Sequence, residues 1–220
     1  MLTRIGWIGC LALTAAMALL SLQASAVLPP DTRIATHFDL SDVPNGWSGV
    51  GLGLTVLPLL ALIMTLAAGL WPRFSRRPEP LVRMAGSFSV IWLAVLAVVA
   101  LAHVQIVARA LDHPFGGSQL RIGALGALFM VFGNMMGKLR QNHFAGIRTP
   151  WTLADETVWA RTHRFGGFLF FAVGLIILLA SFSGLPPHTL RLLMLGSLVG
   201  ASVISAATSY LIWREVRPNG

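Results

Sequence analysis

Residues 141–153, Gln-Asn-His-Phe-Ala-Gly-Ile-Arg-Thr-Pro-Trp-Thr-Leu, put an imidazole, a guanidinium, an indole and two side-chain amides into one short run. Asp155, Glu156, Trp159 and His163 follow at once. His143 and His163 with Asp155 and Glu156 are the residue types for proton transfer. Their spacing matches no catalytic arrangement, and HExxH, GxSxG and a phosphate-binding glycine loop are absent. A non-enzymatic role is therefore expected. Arg148 and Trp151 flank Pro150, whose ring stiffens the link between them, and Arg and Trp are the side chains that anchor protein interfaces. A second cluster lies in 28–48, where His37, Asp39 and Asp42 precede Trp47. Nitrogen and oxygen donors of this kind bind metals, but these three lack further ligands at a defined spacing, so no metal and no cofactor is expected. Cys10 is the single cysteine, which excludes an intrachain disulfide and any cysteine-based metal site.

The elements that carry these residues are apolar. The 220 residues are 55% hydrophobic and 11% charged, with mean hydropathy +0.75. Soluble domains are about a quarter charged, so the chain is expected to lie within a bilayer, with lipid as its first partner. Six stretches are long enough to cross as helices, near 5–27, 49–71, 85–107, 120–137, 165–184 and 192–213. Proline and glycine clusters separate them, and Pro44-Asn45-Gly46 signals a tight turn in the first connection. The fold expected is all-α, a six-transmembrane helix bundle.

Lys and Arg favour the cytoplasmic side. With the N-terminus inside, Arg4, Arg73, Arg76, Arg77, Arg83, Lys138, Arg140, Arg148, Arg161, Arg164, Arg214 and Arg217 are cytoplasmic, against Arg33, Arg109, Arg121 and Arg191 outside. The acidic residues divide evenly, so the net charge of +8 sits wholly on the inner face. Topology accounts for the basicity, and no direct nucleic-acid contact is expected. Both termini are then cytoplasmic, as is 138–164, while 28–48 faces outward. Ala24-Ser25-Ala26 has the small residues of a signal-peptide cleavage site. The preceding apolar run exceeds the usual 7–15 residues, and a retained first helix is expected.

No Asp or Glu falls inside these crossings, which weighs against an ion-coupled transporter. Asn134 lies in Gly133-Asn134-Met135-Met136-Gly137, a small-xxx-small pattern, and is expected to bond a neighbouring helix or to floor a site on the inner loop. Gly196 and Gly200 form a second such pair, and His103 is expected to be hydrogen-bonded near the outer interface. In the inner loop the residue before Pro150 is pushed out of helix, and Thr152 to Asp155 has the spacing of a capped helix start.

Gly133-Asn134, Gln141-Asn142-His143, Gly146, Arg148-Thr149-Pro150-Trp151-Thr152-Leu153 and Asp155-Glu156-Thr157-Val158-Trp159 together resemble the signature of the SdpI family, the Sdp-type immunity proteins of bacterial inner membranes. Leu28-Pro29 and His37-Phe38 fit an N-terminal module carried by many members, and Thr208-Ser209-Tyr210 before a basic end is compatible. The outer loop departs from the pattern, with Ala35 where a proline often stands. The resemblance implies a two-helix module over 1–84 with outer loop 28–48, and a four-helix SdpI-like module over 85–220 with cytoplasmic loop 138–164. It also implies protection against a secreted peptide toxin, and reception that holds a cytosolic winged-helix autorepressor at the membrane.

The partner-binding residues expected inside are Asn134, Gln141, Asn142, His143, Gly146, Arg148, Thr149, Pro150, Trp151, Asp155, Glu156 and Trp159. Those expected to face a toxin are His37, Asp39, Asp42 and Trp47. The alternative function is a transporter or exporter of a small or peptide substrate.

Overall fold

A computed structural model describes residues 2–39, 43–74, 82–143 and 145–217. In chain order these form α1 (Arg4–Val27), a hairpin of β1 (Arg33–Phe38) and β2 (Pro44–Gly49), α2 (Val50–Leu70) with a 3-10 turn at Trp71–Phe74, then α3 (Ala85–Ala110) and α4 (Gly117–Met136). A short α5 (Pro150–Ala154) precedes α6 (Glu156–Ala180) and α7 (Pro187–Val216). Six of these helices are long and apolar enough to span a membrane. In hydrocarbon every backbone amide must bond within its own segment, so apolar runs of this length become helices whatever their local propensity. Even Pro58, inside α2, is accommodated and buried. Large side chains such as Ile5, Leu22, Ile63, Phe168 and Leu179 point outward from the bundle, as a lipid-facing surface requires. The chain is a multi-pass helical membrane protein.

Contacts between sequence-distant residues fix the up-and-down order. The Thr3 amide donates to Ser89 Oγ at the start of α3, Asn142 lies against Met84, and Thr149 bonds Ser209 near the end of α7. Both chain ends and the 137–155 connection therefore share one end of the bundle, the loop end. At the opposite, hairpin end, Arg191 of α7 donates to the Asp39 carbonyl and Gln105 of α3 donates to the carbonyls of Phe115 and Gly117.

One core joins α1, α2 and α3 around Cys10, Met17, Ala61 and Leu96. Another joins α4, α6 and α7 around Ile122, Met136, Phe170 and Ile177. Helix α3 packs against α1 and α2 and also against α4. The tightest pairing, α4 with α6, is a glycine seam. A β-carbon on Gly126 or Gly133 would strike backbone at Gly174, Leu178, Gly167 or Phe171, and one on Gly167 or Gly174 would strike α4 in return. Without a hydrophobic drive between helices in lipid, such close backbone approach supplies the packing energy.

Several expectations shift. The interlocking glycines are spaced by seven, whereas a β-carbon on Gly196 or Gly200 would meet nothing within 4 Å. A spacing of seven returns to one face after two turns and builds a seam; Gly196 and Gly200 lie on a face of α7 that no helix covers. The fifth crossing begins at Glu156 rather than 165. Its first turns carry Arg161, His163 and Arg164, whose polarity hid the helix from an apolar-run criterion. Pro44-Asn45-Gly46 is not the turn but the start of β2. The pairing slips on either side of His37, opposite Gly46, so these residues form a bulge. The first connection thus adds a small antiparallel hairpin to the helical bundle.

Candidate functional site

The 137–155 connection is folded against the loop end through hydrogen bonds of its own side chains. Asn142, 8% exposed, donates to the carbonyls of Arg140 and Ala145 and accepts the Ala145 amide at 2.8 Å. Gln141 donates to the Thr152 carbonyl at 2.7 Å. The two amide side chains thus close the turn that polar backbone would otherwise leave unsatisfied.

His163 is the post around which the loop wraps. Its Nε2 accepts the Ile147 amide at 2.9 Å. An amide can only donate, so the imidazole proton sits on Nδ1, which bonds the Trp159 carbonyl at 2.9 Å. The Trp159 and His163 rings stack with centroids 3.9 Å apart, as side chains four residues apart on one helical face can. The Trp159 indole donates to the Leu139 carbonyl at 2.8 Å. Gly146 passes over this pair at φ +121°, and a β-carbon there would collide with His163 Nε2.

Thr149 caps α5 in a capping box with Thr152: each hydroxyl accepts the other residue's amide. Pro150 occupies the first helical turn, where its missing amide costs nothing. The cap lies three residues earlier than the Thr152 to Asp155 spacing suggested, because Pro150 fixes where the turn can start. Asp155 is instead the cap of α6, accepting the amides of Thr157 at 2.8 Å and Val158 at 3.1 Å. The Val158 bond foremost, with lesser help from the Thr157 bond and the nearby Arg217, holds its carboxyl below the usual range, against the opposing effect of burial. Arg217 approaches Asp155 at 3.5 Å.

The C-terminal end of α7 is clamped to the loop and to α6. Thr149 Oγ1 lies 2.9 Å from Ser209 Oγ, the Trp151 ring packs on Tyr210 at 5.0 Å, and Arg161 pairs with Glu215 at 2.7 Å. Spacing arguments alone did not single out His163, Ser209 or Tyr210 as contacts, and marked Thr152 only as a helix cap. The one local signal was the four-residue interval from Trp159 to His163.

The expected inner residues therefore divide. Gln141, Asn142, Gly146, Thr149, Asp155 and Trp159 face inward or bond the loop itself. Exposed are His143, Arg148, Pro150 and Glu156, with Trp151 half-buried. Arg148 donates to the His143 carbonyl at 2.8 Å, so these two share one ridge. Asn134 is exposed on α4, outside the glycine seam, because Gly133 takes the face toward α6.

At the hairpin end, His37 Nδ1 bonds Asn45 Oδ1 and Asp39 Oδ1 accepts the Val43 amide at 2.9 Å; Trp47 is 49% exposed. Asp42 lies outside the described residues. His103 is fully buried and hydrogen-bonded. Its Nε2 lies 3.0 Å from Ser21 Oγ and 3.2 Å from the Met17 carbonyl, tying α3 to α1.

Residues 138–210, the folded loop with the two crossings that hold it, match the family model described as the SdpI/YfhL protein family. A stretch of 92 residues is 37% identical to the immunity protein SdpI of Bacillus subtilis (strain 168). That stretch is 42% of this chain and 44% of the relative, so the match spans less than half of either protein. No solved structure matches the chain. The loop that wraps His163 thus lies in the segment of this multi-pass bacterial membrane protein that is similar to the SdpI/YfhL protein family.

Proposed function

We propose that this protein confers immunity to a secreted, membrane-active peptide toxin, and that its loop end docks a cytosolic protein. The observation that carries the first part is the 37% identity to a protein named for immunity. The family model described as SdpI/YfhL matches residues 138–210, which include the loop that wraps His163. The charge pattern supports a cytoplasmic loop end: Arg4, Arg73, Arg83, Lys138, Arg140, Arg148, Arg161, Arg164, Arg214 and Arg217 all lie there.

The second part follows from the division of the loop. Asn142, Gly146, Thr149, Trp159 and His163 hold the shape; His143, Arg148, Pro150 and the free edge of Trp151 form the surface that the shape presents. Arg140 and Arg164 are exposed beside it and supply positive potential toward an acidic patch on a partner. A winged-helix repressor is the partner class that the resemblance implies. Toxin bound at the hairpin end shifts the docking surface only if it favours one packing of the bundle over another. The Thr149–Ser209 and Trp151–Tyr210 contacts tie the loop to α7, whose other end reaches the hairpin through Arg191. Helix α7 is thus the element able to carry such a shift.

The test separates the two roles. Arg148→Ala and Trp151→Ala variants, checked for correct insertion, are assayed for toxin survival and, independently, for recruitment of the cytosolic partner to membranes. Loss of recruitment with survival retained is expected. Recruitment that persists in both variants overturns the docking surface, and toxin sensitivity unchanged by deletion of the gene overturns immunity.

A further inference from the structure

Pro58 lies inside α2 and is buried. Proline has no amide, so the Leu54 carbonyl one turn earlier loses the donor its own helix would supply, and the pyrrolidine ring crowds that same oxygen. In a membrane-spanning helix such an orphan is met by a neighbouring side chain. Here the neighbour is on α1: Ser21 Oγ donates to the Leu54 carbonyl at 2.7 Å. Behind it stands α3, with His103 Nε2 3.0 Å from Ser21 Oγ and 3.2 Å from the Met17 carbonyl. The Ser21 proton points to Leu54 and a carbonyl can only accept, so Nε2 carries the imidazole proton. A relay across three helices thus replaces the bond that Pro58 removes.

Two features make this relay reversible. Thr14 on α1 and Thr65 on α2 donate to carbonyls four residues back, at Cys10 and Ala61. Ser21 has the same local alternative in the Met17 carbonyl, which His103 already contacts. Rotation of one hydroxyl therefore releases Leu54 while Ser21 and His103 keep an acceptor. The latched arrangement also carries a cost of its own. His103 is fully buried, and among the described residues its Nδ1, here an acceptor, has no partner. A buried acceptor without a donor is destabilising, and an opening that lets water reach Nδ1 relieves it.

The segments on either side of Pro58 belong to different bodies. Val50 follows Gly49 of β2 directly, and Ile34 of β1 packs so closely on Gly53 that a β-carbon there would strike it. The hairpin and 50–57 therefore form one body. Beyond Pro58, Ala61 sits in a core with Cys10 and Met17, and a β-carbon on Gly69 would collide with the Trp7 ring. Residues 59–70 therefore form one body with α1. Leu54 also packs with Ala24 and Val107, but apolar contact is non-directional; the bond from Ser21 is the directional tie.

We propose that Pro58 is a hinge in α2 and that Ser21 with His103 is its latch. The hairpin and 50–57 tilt as a unit against α1 and α3 when Ser21 turns from the Leu54 carbonyl to that of Met17. A load on the hairpin reaches the interior of the bundle by this route. The device stands apart from the immunity reading and from docking at the loop end.

The test is hydrogen exchange, read by mass spectrometry on the full chain in detergent, for the parent, Ser21→Ala, Pro58→Ala and the double variant. Local opening sets the exchange of buried amides. Ser21→Ala is expected to speed exchange of 33–57 on the order of tenfold, the factor for one hydrogen bond, and to leave 59–70 at the parent rate. Pro58→Ala returns a helical amide to the Leu54 carbonyl and is expected to slow exchange of 50–57 below the parent. Adding Ser21→Ala to it is then expected to change little. Exchange that is unchanged in Ser21→Ala, or that rises equally through 59–70, overturns the hinge. An effect of Ser21→Ala as large in the Pro58→Ala background as in the parent overturns the latch, because the hydroxyl would then not stand in for the missing amide.

Discussion

His163 Nε2 accepts the main-chain amide of Ile147 at 2.9 Å across sixteen residues of sequence. One imidazole, carried on a membrane helix, thereby fixes the path of the loop that precedes it. Replacing the ring by one of similar size without an acceptor isolates this bond. His163→Phe keeps the stack on Trp159 and leaves the Ile147 amide buried and unpaired, a cost of about 1–3 kcal/mol. The expected result is a lower thermal midpoint in detergent and faster proteolysis between Lys138 and Pro150, with helix content unchanged. A variant as protease-resistant as the parent would show that the bond does not hold the loop.

Gly146 offers an independent probe of the same wrap. Its φ of +121° suits glycine alone, and a β-carbon meets His163 Nε2. Gly146→Ala therefore incurs both backbone strain, about 1–3 kcal/mol, and displacement of the imidazole. Combining it with His163→Phe should cost less than the sum of the two single changes, since both break one arrangement. Strict additivity in a thermal-unfolding cycle would argue that the two residues act separately.

Asp155 predicts a pH dependence of known sign. Its folded pKa is lowered by the Val158 and Thr157 amides and by Arg217, so its contribution is full above the unfolded value of about 3.9. That contribution is lost as pH falls through the lower, folded value. Asp155→Ala should cost about 0.5–2 kcal/mol at neutral pH through loss of the helix cap, and the gap between variant and parent should shrink below about pH 4. Asp155→Asn should retain most of the cap and lose the pairing with Arg217. Melting curves from about pH 2 to about pH 7, a span that reaches below the unfolded carboxylate value, would test this; a gap that does not narrow in acid would rule out the charged cap.

The glycine seam makes a prediction by contrast. Gly174→Leu forces a side chain into the backbone of α4 at Gly126 and Met130, an overpacking cost of at least about 1–3 kcal/mol. A β-carbon on Gly200 meets nothing within 4 Å, and Gly200→Leu should change stability by less than about 0.5 kcal/mol. Expression level and monodisperse elution of the two variants give the comparison. Equal behaviour would mean that α4 and α6 are not in backbone contact.

Composition and apolar run length alone determined the membrane class and the approximate place of every crossing, because a bilayer demands long apolar helices and tolerates few charges. The signature residues of 133–159 were also visible, as types too polar and too varied for a plain tether. What each of them does was decided only by the tertiary structure. Trp159 and Asn142 are the same residue types as interface anchors and adaptable surface contacts, yet both are buried, because Leu139, Arg140 and Ala145 bring carbonyls to them from the adjoining loop. His163 gained its place from an amide sixteen positions away, a distance that no periodicity records. A cavity beneath the hairpin is lined by residues of β1, β2, α2, α3 and α4, and only packing of those elements brings Arg109 and Arg121 to the Phe38 ring. Local spacing fixes which face of a helix a residue shares; which partner meets that face is settled when the helices assemble.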